Sequence, residues 1–272
     1  MRLVAHISDL HFGRHDGAIV DALLAQFGEV GPDLVILSGD LTQRARSAEF
    51  AQAKHFIDRI KKPVVIVPGN HDIPLYNVMH RFFSPLEKYR RHFREASAGE
   101  WYVDDELAVL GLNTARSLTF KSGRVSVDQM GMIRRCFAHV PRDAWKVIVT
   151  HHPIASAHVE PRIELAGRAM LALRALADSG VHLLLSGHRH RPASGHPATD
   201  LVLHGTMLVV HAGTAVSTRT REGEGNSYNL VCLDGPHATV DVMRWNGTST
   251  FERAQRSRYR LNNRGHLETE SV

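Results

Sequence analysis

The feature that most constrains this 272-residue chain is a set of five short His/Asp/Asn motifs, each placed just beyond an apolar β-type run. Asp9-Leu10-His11 follows Leu3–Ile7, Gly39-Asp40 follows Asp33–Leu37, and Gly69-Asn70-His71-Asp72 follows Pro63–Val67. His151-His152-Pro153 ends the run that begins near Lys146, and Gly187-His188-Arg189-His190 follows Val181–Leu185. No motif is near another in sequence. Open α/β sheets place ligands outside the carboxyl ends of their strands, so side-by-side strands would bring all five to one point.

Helical periodicity fills the intervals. Ile19, Ala22, Leu23 and Phe27 share one stripe in Ala18–Phe27, and Phe50, Ala53, Ile57 and Ile60 are in phase between Ser47 and Ile60. Further helices are expected at Val127–Ala138 and Glu164–Ala177, with a Tyr/Arg/Phe-rich one from Val78 to Ala96. Strands are expected at Trp101–Val103 and Leu107–Leu112. After residue 195 short strands separated by Gly-rich turns take over: Leu201–His204, Met207–His211, Ser227–Leu233 and Ala238–Trp245. A βα half followed by a β-meander reads as one α/β domain, residues 1–260, with two packed sheets between helices. Residues 261–272 read as a polar tail frayed from Asn263 onward.

Hydrophobic residues at 43% and charged residues at 22% are ordinary for a globular protein and exclude a disordered one. No apolar run reaches the ~18–20 residues of a membrane span, and Asp9 comes too early for a secretory signal. Cys136 and Cys232 imply no disulfide framework, which fits a reducing cytoplasm. The net charge of +5 suits an anionic substrate. Lys and Arg are spread along the chain, so nucleic-acid binding is not expected.

The residue types explain themselves as a metal site. Asp9 and His11 offer an oxygen and a nitrogen, and His188 and His190 offer two nitrogens. Asp40 has two carboxylate oxygens and can bridge two ions about 3.5–4 Å apart, the spacing used by two-metal hydrolases. Asn70 contributes a neutral carbonyl oxygen. Imidazole with carboxylate suits Mn, Fe, Zn or Co, whereas Mg or Ca sites are all oxygen.

In this order, the five motifs resemble the signature of the calcineurin-like metallophosphoesterases, over roughly residues 1 to 245, with every signature position filled. The resemblance implies a four-layer α/β/β/α sandwich and a two-ion centre. One ion would be held by Asp9, His11, Asp40 and His190, the other by Asp40, Asn70, His151 and His188. A hydroxide bridging the ions would attack phosphorus, and His71 would protonate the leaving oxygen. Asp72 would orient His71 or cap the segment that follows.

The compact length, the Ile73-Pro74 continuation and the His211–Ala215 segment resemble the bacterial class III cyclic-nucleotide phosphodiesterase branch. Gln43 stands where purple acid phosphatases carry a tyrosine ligand, which disfavours an iron–tyrosinate site. The expected activity is hydrolysis of a small phosphodiester such as a 3',5'-cyclic nucleotide. Candidate substrate contacts are Arg14, Asn113 and His152. The Tyr76–Phe93 segment reads either as a substrate lid or as an amphipathic helix with a solvated basic face. A phospholipid, glycerophosphodiester or nucleotide-lipid pyrophosphate hydrolase is the alternative, with Phe82, Phe83 and Leu86 as its apolar entrance. A non-catalytic scaffold would be expected to have lost ligands, and none is missing. Relatives often dimerise, so a homo-oligomer is compatible with the resemblance.

Overall fold

The apolar runs become parallel strands because both of their faces are buried, which removes any need for polar alternation. In the computed structural model, which describes residues 1–93, 98–119, 121–158, 164–198, 206–221 and 223–271, these strands form two sheets. The first runs β14 (Leu267–Glu270), β13 (Phe251–Leu261), β12 (His237–Trp245), β11 (Ser227–Asp234), β1 (Arg2–Ile7), β2 (Leu34–Leu37), β3 (Val64–Ile66), β4 (Ala98–Gly99). The second runs β5 (Trp101–Val103), β6 (Leu107–Leu112), β7 (Trp145–Thr150), β8 (Leu183–Ser186), β10 (Leu208–His211), β9 (Ala193–Gly195). β1 to β4 are mutually parallel, as are β6, β7, β8 and β10.

The two-residue period of a strand sorts side chains into layers. Leu34 and Ile36 face Leu107, Val109, Val147 and Leu183 of the other sheet in a shared inner core. Val35 and Leu37 face outward with Ile7, beneath α1 (Gly17–Val30), α2 (Ser47–Arg59) and Tyr89 and Phe93 of α4 (Glu87–Phe93). On the far side, α5 (Val127–Phe137) and α6 (Ala169–Asp178) place Ile133, Phe137, Leu173 and Leu176 over Leu110, Ile148 and Leu184. Helix, sheet, sheet, helix is the four-layer α/β/β/α sandwich that the family resemblance implied.

Two expectations are corrected and one strand, β13, was not foreseen. The single helix from Val78 is two, α3 (Val78–Phe83) and α4, because Pro85 cannot continue a helix and disfavours helical backbone at Ser84; residues 94–96 of that expectation lie outside the described residues. The tail is not frayed: Leu267–Glu270 pairs with β13, with Leu267 buried against the inner core. β13 itself had no alternating apolar pattern, because only Phe251 and Tyr259 of its eleven residues are buried. The strand expected at Leu201–His204 falls outside the described residues.

Candidate metal centre

Parallel pairing puts the carboxyl ends of β1, β2 and β3 on one edge of the first sheet, and those of β7 and β8 on one edge of the second. The five motifs begin at those ends. The first sheet supplies Asp9, His11, Asp40, Asn70 and His71; the second supplies His151, His152, His188 and His190.

The loops reach the centre through backbone that L-residues seldom adopt. Asp9, His11, Asp40, His188 and His190 all have positive φ, at 54°, 47°, 53°, 69° and 59°. Left-handed backbone at non-glycine residues is costly and concentrates at functional sites, where the surrounding structure enforces it. Here Asp9 N donates to Gly39 O and His11 N to Asp40 O, which locks the first loop to the second. Gly69 is required because a Cβ there would strike the Asp40 backbone nitrogen and carboxylate.

Two donor groups result. Asp9, His11, Asp40 and His190 present ligand atoms within 4.8 Å of one another, as do His151, His152 and His188. Asp40 faces both: Oδ2 lies 3.8 Å from His11 Nε2, and Oδ1 lies 3.4 Å from His151 Nε2. Asn70 Oδ1 is 3.1 Å from the same His151 nitrogen.

The hydrogen-bond chemistry of these groups fits a cation. His151 Nδ1 donates to Ser38 O at 2.8 Å, so the Nε2 of the neutral ring is a bare lone pair facing two oxygen acceptors. His190 Nδ1 likewise donates to Arg219 O, which turns its Nε2 lone pair toward Asp9 Oδ1 at 3.1 Å. Acceptors aimed at acceptors in a buried site need either protons or metal ions between them. A ligating imidazole that gives its other N–H to a backbone carbonyl is the usual way of orienting such a ring.

The electrostatics of these side chains follow the same geometry. Burial alone would raise the Asp40 carboxyl, but His151 and His71 outweigh it and hold it well below the usual range. Burial opposes protonation of His151, yet Asp40 lifts it to about 9. His11 is pushed down to about 4, mainly by burial, and His188 to about 4 by burial and by His151.

His71 stands half-buried at the rim, its ring edge-on to His11 at 4.9 Å. Its Nδ1 donates to Gln43 O at 2.8 Å, and its backbone N–H donates to Asp40 Oδ1. Asp72 does not orient it. That carboxylate accepts from the backbone N–H groups of Leu41, Thr42 and Gly69 and from Thr42 Oγ1, tying the second and third loops together. Burial, followed by the nearby Asp40, raises Asp72 to about 6.

Two clefts open over the centre. One of about 480 Å³ is lined by Asp40, Asn70, His71, His188, His190, Lys121 and Arg219 among others. A second, of about 730 Å³, shares Asn70, His71, Lys121 and Arg219 and extends past Arg14, Arg44 and Tyr76. Arg14 sits in the wall of the larger cleft. Asn113 does not line either cleft, because its Oδ1 caps Ala115 N and its carbonyl takes Gln129 and Arg116. His152 is also absent from both walls: it is buried, and its ring and backbone are held by Thr114 Oγ1. Arg81, within the Tyr76–Phe93 segment read as a lid or as a helix with a solvated basic face, is buried and donates to Pro74, Ser117 and Thr119 carbonyls. Of the proposed apolar entrance, Phe82 and Phe83 are exposed, whereas Leu86 belongs to the core. Sequence reasoning missed Lys121 and Arg219, which arrive from loops with no motif, and the carbonyls of Ser38 and Gln43, which no side-chain pattern marks.

Two stacked sheets carrying a two-group His/Asp/Asn centre at their carboxyl edge define a metallophosphoesterase architecture. The chain belongs to the calcineurin-like phosphoesterase family, whose profile matches residues 2–192. It is 25% identical over 288 residues to a component of the SbcCD nuclease of Bacillus subtilis, covering 90% of this chain and 73% of that one. It is 30% identical over 161 residues to a probable cyclic nucleotide phosphodiesterase of Fibrobacter succinogenes, covering 55% of this chain and 56% of that one. The chain therefore spans little more than half the length of that phosphodiesterase relative. Among solved structures, a dimetal phosphatase from Danio rerio superposes with a TM-score of 0.65 at 15% identity, covering 94% of this chain and 98% of that one. No helix among the described residues is long and apolar enough to cross a membrane.

Proposed function

We propose that this chain is a dinuclear metal-dependent phosphodiesterase acting on a small anionic diester, with 3',5'-cyclic nucleotides the first class to test. The observation that carries this reading is Asp40, whose two oxygens face donor groups on either side of it. Asp9, His11, Asp40 and His190 would hold one ion, and Asp40, Asn70, His151 and His188 the other. Two transition-metal ions, Mn, Fe, Zn or Co, would supply Lewis acidity and lower the pKa of a nearby water.

The chain's own residues do the rest. Because His71 Nδ1–H is committed to Gln43 O, Nε2 is the nitrogen that carries the mobile proton. In the hydrolysis a water that has given one proton to solvent forms a bond from its oxygen to phosphorus as the bond to the leaving oxygen breaks. His71 Nε2–H gives its proton to that leaving oxygen, which avoids a free alkoxide. Lys121 and Arg219, in the walls of both clefts, attract the non-bridging oxygens. The likeness to a probable cyclic nucleotide phosphodiesterase supports a diester over a monoester.

One observation favours a second reading. Tyr76, exposed at 73%, stands in the wall of the larger cleft as an aromatic face that an amphiphilic diester could use. Metal analysis followed by assay of the Mn-loaded chain on cyclic AMP, a glycerophosphodiester, a lipid pyrophosphate and a simple monoester separates these. The expected result is close to two ions per chain and turnover of a diester. Fewer than about one ion with no activity on added Mn would refute the enzyme, and turnover of the monoester alone would refute the diesterase.

A further inference from the structure

The larger cleft is lined by His71 and by residues just after the first two motifs, Arg14 and Arg44 among them, and of the candidate ligands it takes in Asn70 alone. Its wall carries Arg14, Arg44, Arg46, Lys121 and Arg219, all exposed. Among the described residues none of these five is paired with a carboxylate; Arg219 Nη1 reaches only the neutral Gln43 Oε1, at 3.4 Å. The one acid in that wall, Glu49, is buried and turned inward, where Oε2 accepts from the backbone N–H groups of Arg44 and Arg46. Arg44 lies 5.7 Å from the centre of the Tyr76 ring, so a flat aromatic face stands beside the cations.

Lys121 and Arg219, shared with the smaller cleft, serve the scissile phosphate, but Arg14, Arg44 and Arg46 are not explained by it. A cyclic nucleotide or a glycerophosphodiester carries one negative charge, and that charge belongs at the metal-binding loops. If His71 protonates the leaving oxygen, the cleft beyond His71 is where the leaving group lies. We infer that this wall is a subsite for a leaving group bearing a phosphate of its own, with Arg44 and Arg46 as specificity-determining residues. The inference rests on the phosphodiesterase reading and narrows its substrate class. Two sources share this chemistry: a small dinucleotide with a terminal phosphate, and the end of a single-stranded oligonucleotide.

The test compares the Mn-loaded chain on the dinucleotide ApA with pApA and ApAp, which add a phosphate at one end or the other, products being separated by chromatography. One of the two phosphorylated dinucleotides should exceed ApA in kcat/KM by roughly tenfold or more, as one charge-assisted contact implies. The double variant Arg44→Gln/Arg46→Gln, at exposed positions that leave the core intact, should bring that ratio back toward one. A ratio within about twofold of one in the unaltered chain, or an unaltered ratio in the variant, overturns the subsite. A ten-nucleotide single strand run alongside identifies the source: faster turnover than the better dinucleotide assigns a nucleic-acid end, slower turnover a small dinucleotide. Calorimetric binding of adenosine 3'- and 5'-monophosphate against adenosine to the metal-free chain keeps the two claims apart. Nucleotide binding that the double variant abolishes, with no diester hydrolysed, retains the subsite and refutes the phosphodiesterase. Equal turnover of all three dinucleotides, with no nucleotide bound, does the reverse.

Discussion

Asp9, Asp40 and His151 in the floor of the site are essentially inaccessible and held in fixed loops, whereas Arg44, Arg46 and Lys121 in its wall stand exposed a short distance away. The floor is assembled from both sheets and locked by backbone hydrogen bonds, with positive φ at five candidate ligands. The wall's exposed cations Arg14, Arg44, Arg46, Lys121 and Arg219 stand in loops and have no carboxylate partners among the described residues. Burial makes each floor charge costly unless it is matched, so residue identity there is rigidly constrained. Exposure makes the wall charges cheap to change and leaves them to act on what binds. Chemistry should therefore fail when the floor is altered, and substrate choice should shift when the wall is.

The largest effect is expected at Asp40. Asp40→Ala should reduce metal content and lower turnover by on the order of 10³-fold or more, read by metal analysis and steady-state kinetics. Full metal content with near-normal turnover would exclude Asp40 as the proposed bridge. His71→Ala comes next, with a kcat loss of about 10²–10⁴-fold while both ions stay bound. Metal loss with an unchanged rate per occupied site would instead make His71 a structural residue.

Asp72→Ala should act on stability before chemistry. It strands three backbone N–H groups and the Thr42 hydroxyl, at a cost of about 3 kcal/mol or more in denaturant unfolding. The rate per metal-loaded molecule should stay within about tenfold of the parent. A larger drop at full metal occupancy would restore Asp72 to the reaction.

The floor also rests on buried neutral histidines. His6, bonded to Ser38 Oγ, and His211, bonded to Ser186 Oγ, are each held down at about 3 by burial. Between about 3 and the ordinary value of 6.5 the unfolded chain binds protons that the folded chain does not. Their contribution to stability is present above 6.5 and is lost as pH falls toward 3, at up to about 1.4 kcal/mol per pH unit for each ring. Thermal unfolding from pH 7 to 4 should show this fall, and His6→Gln should make it shallower even if its Tm is lower throughout. An unchanged slope in the variant would exclude His6 as a source. Smallest of all, Lys121→Gln should raise KM only a few-fold and change stability by less than about 0.5 kcal/mol. A Tm drop of many degrees would show that the wall is structural after all.

Much of the floor was legible in the chain. Asp40, His71 and the Gly187-His188-Arg189-His190 motif could be assigned positions because parallel strands with buried faces must end on one edge, and the motifs sit at those ends. Asn113 was misplaced because a polar residue at a strand end can equally cap the next turn, as it does for Ala115. Asp72 and His152 were read toward the reaction for the same reason: nothing local distinguishes a carboxylate that ties two loops, or an imidazole held by Thr114, from one that meets substrate. β13 was missed because its pairing with β12 and β14, rather than an apolar face of its own, accounts for its order.

What the sequence determined by itself was the set of candidate ligand types, their order and the layered fold, since hydrophobic period and strand-end position are local properties. Only the tertiary structure decided which oxygen of Asp40 faces which histidine, and that the carbonyls of Ser38, Gln43 and Arg219 set the histidine tautomers. Only it brought Arg14, Arg44, Lys121 and Arg219 into one wall. Those outcomes depend on contacts between residues tens to hundreds of positions apart, and on backbone atoms that every residue carries alike.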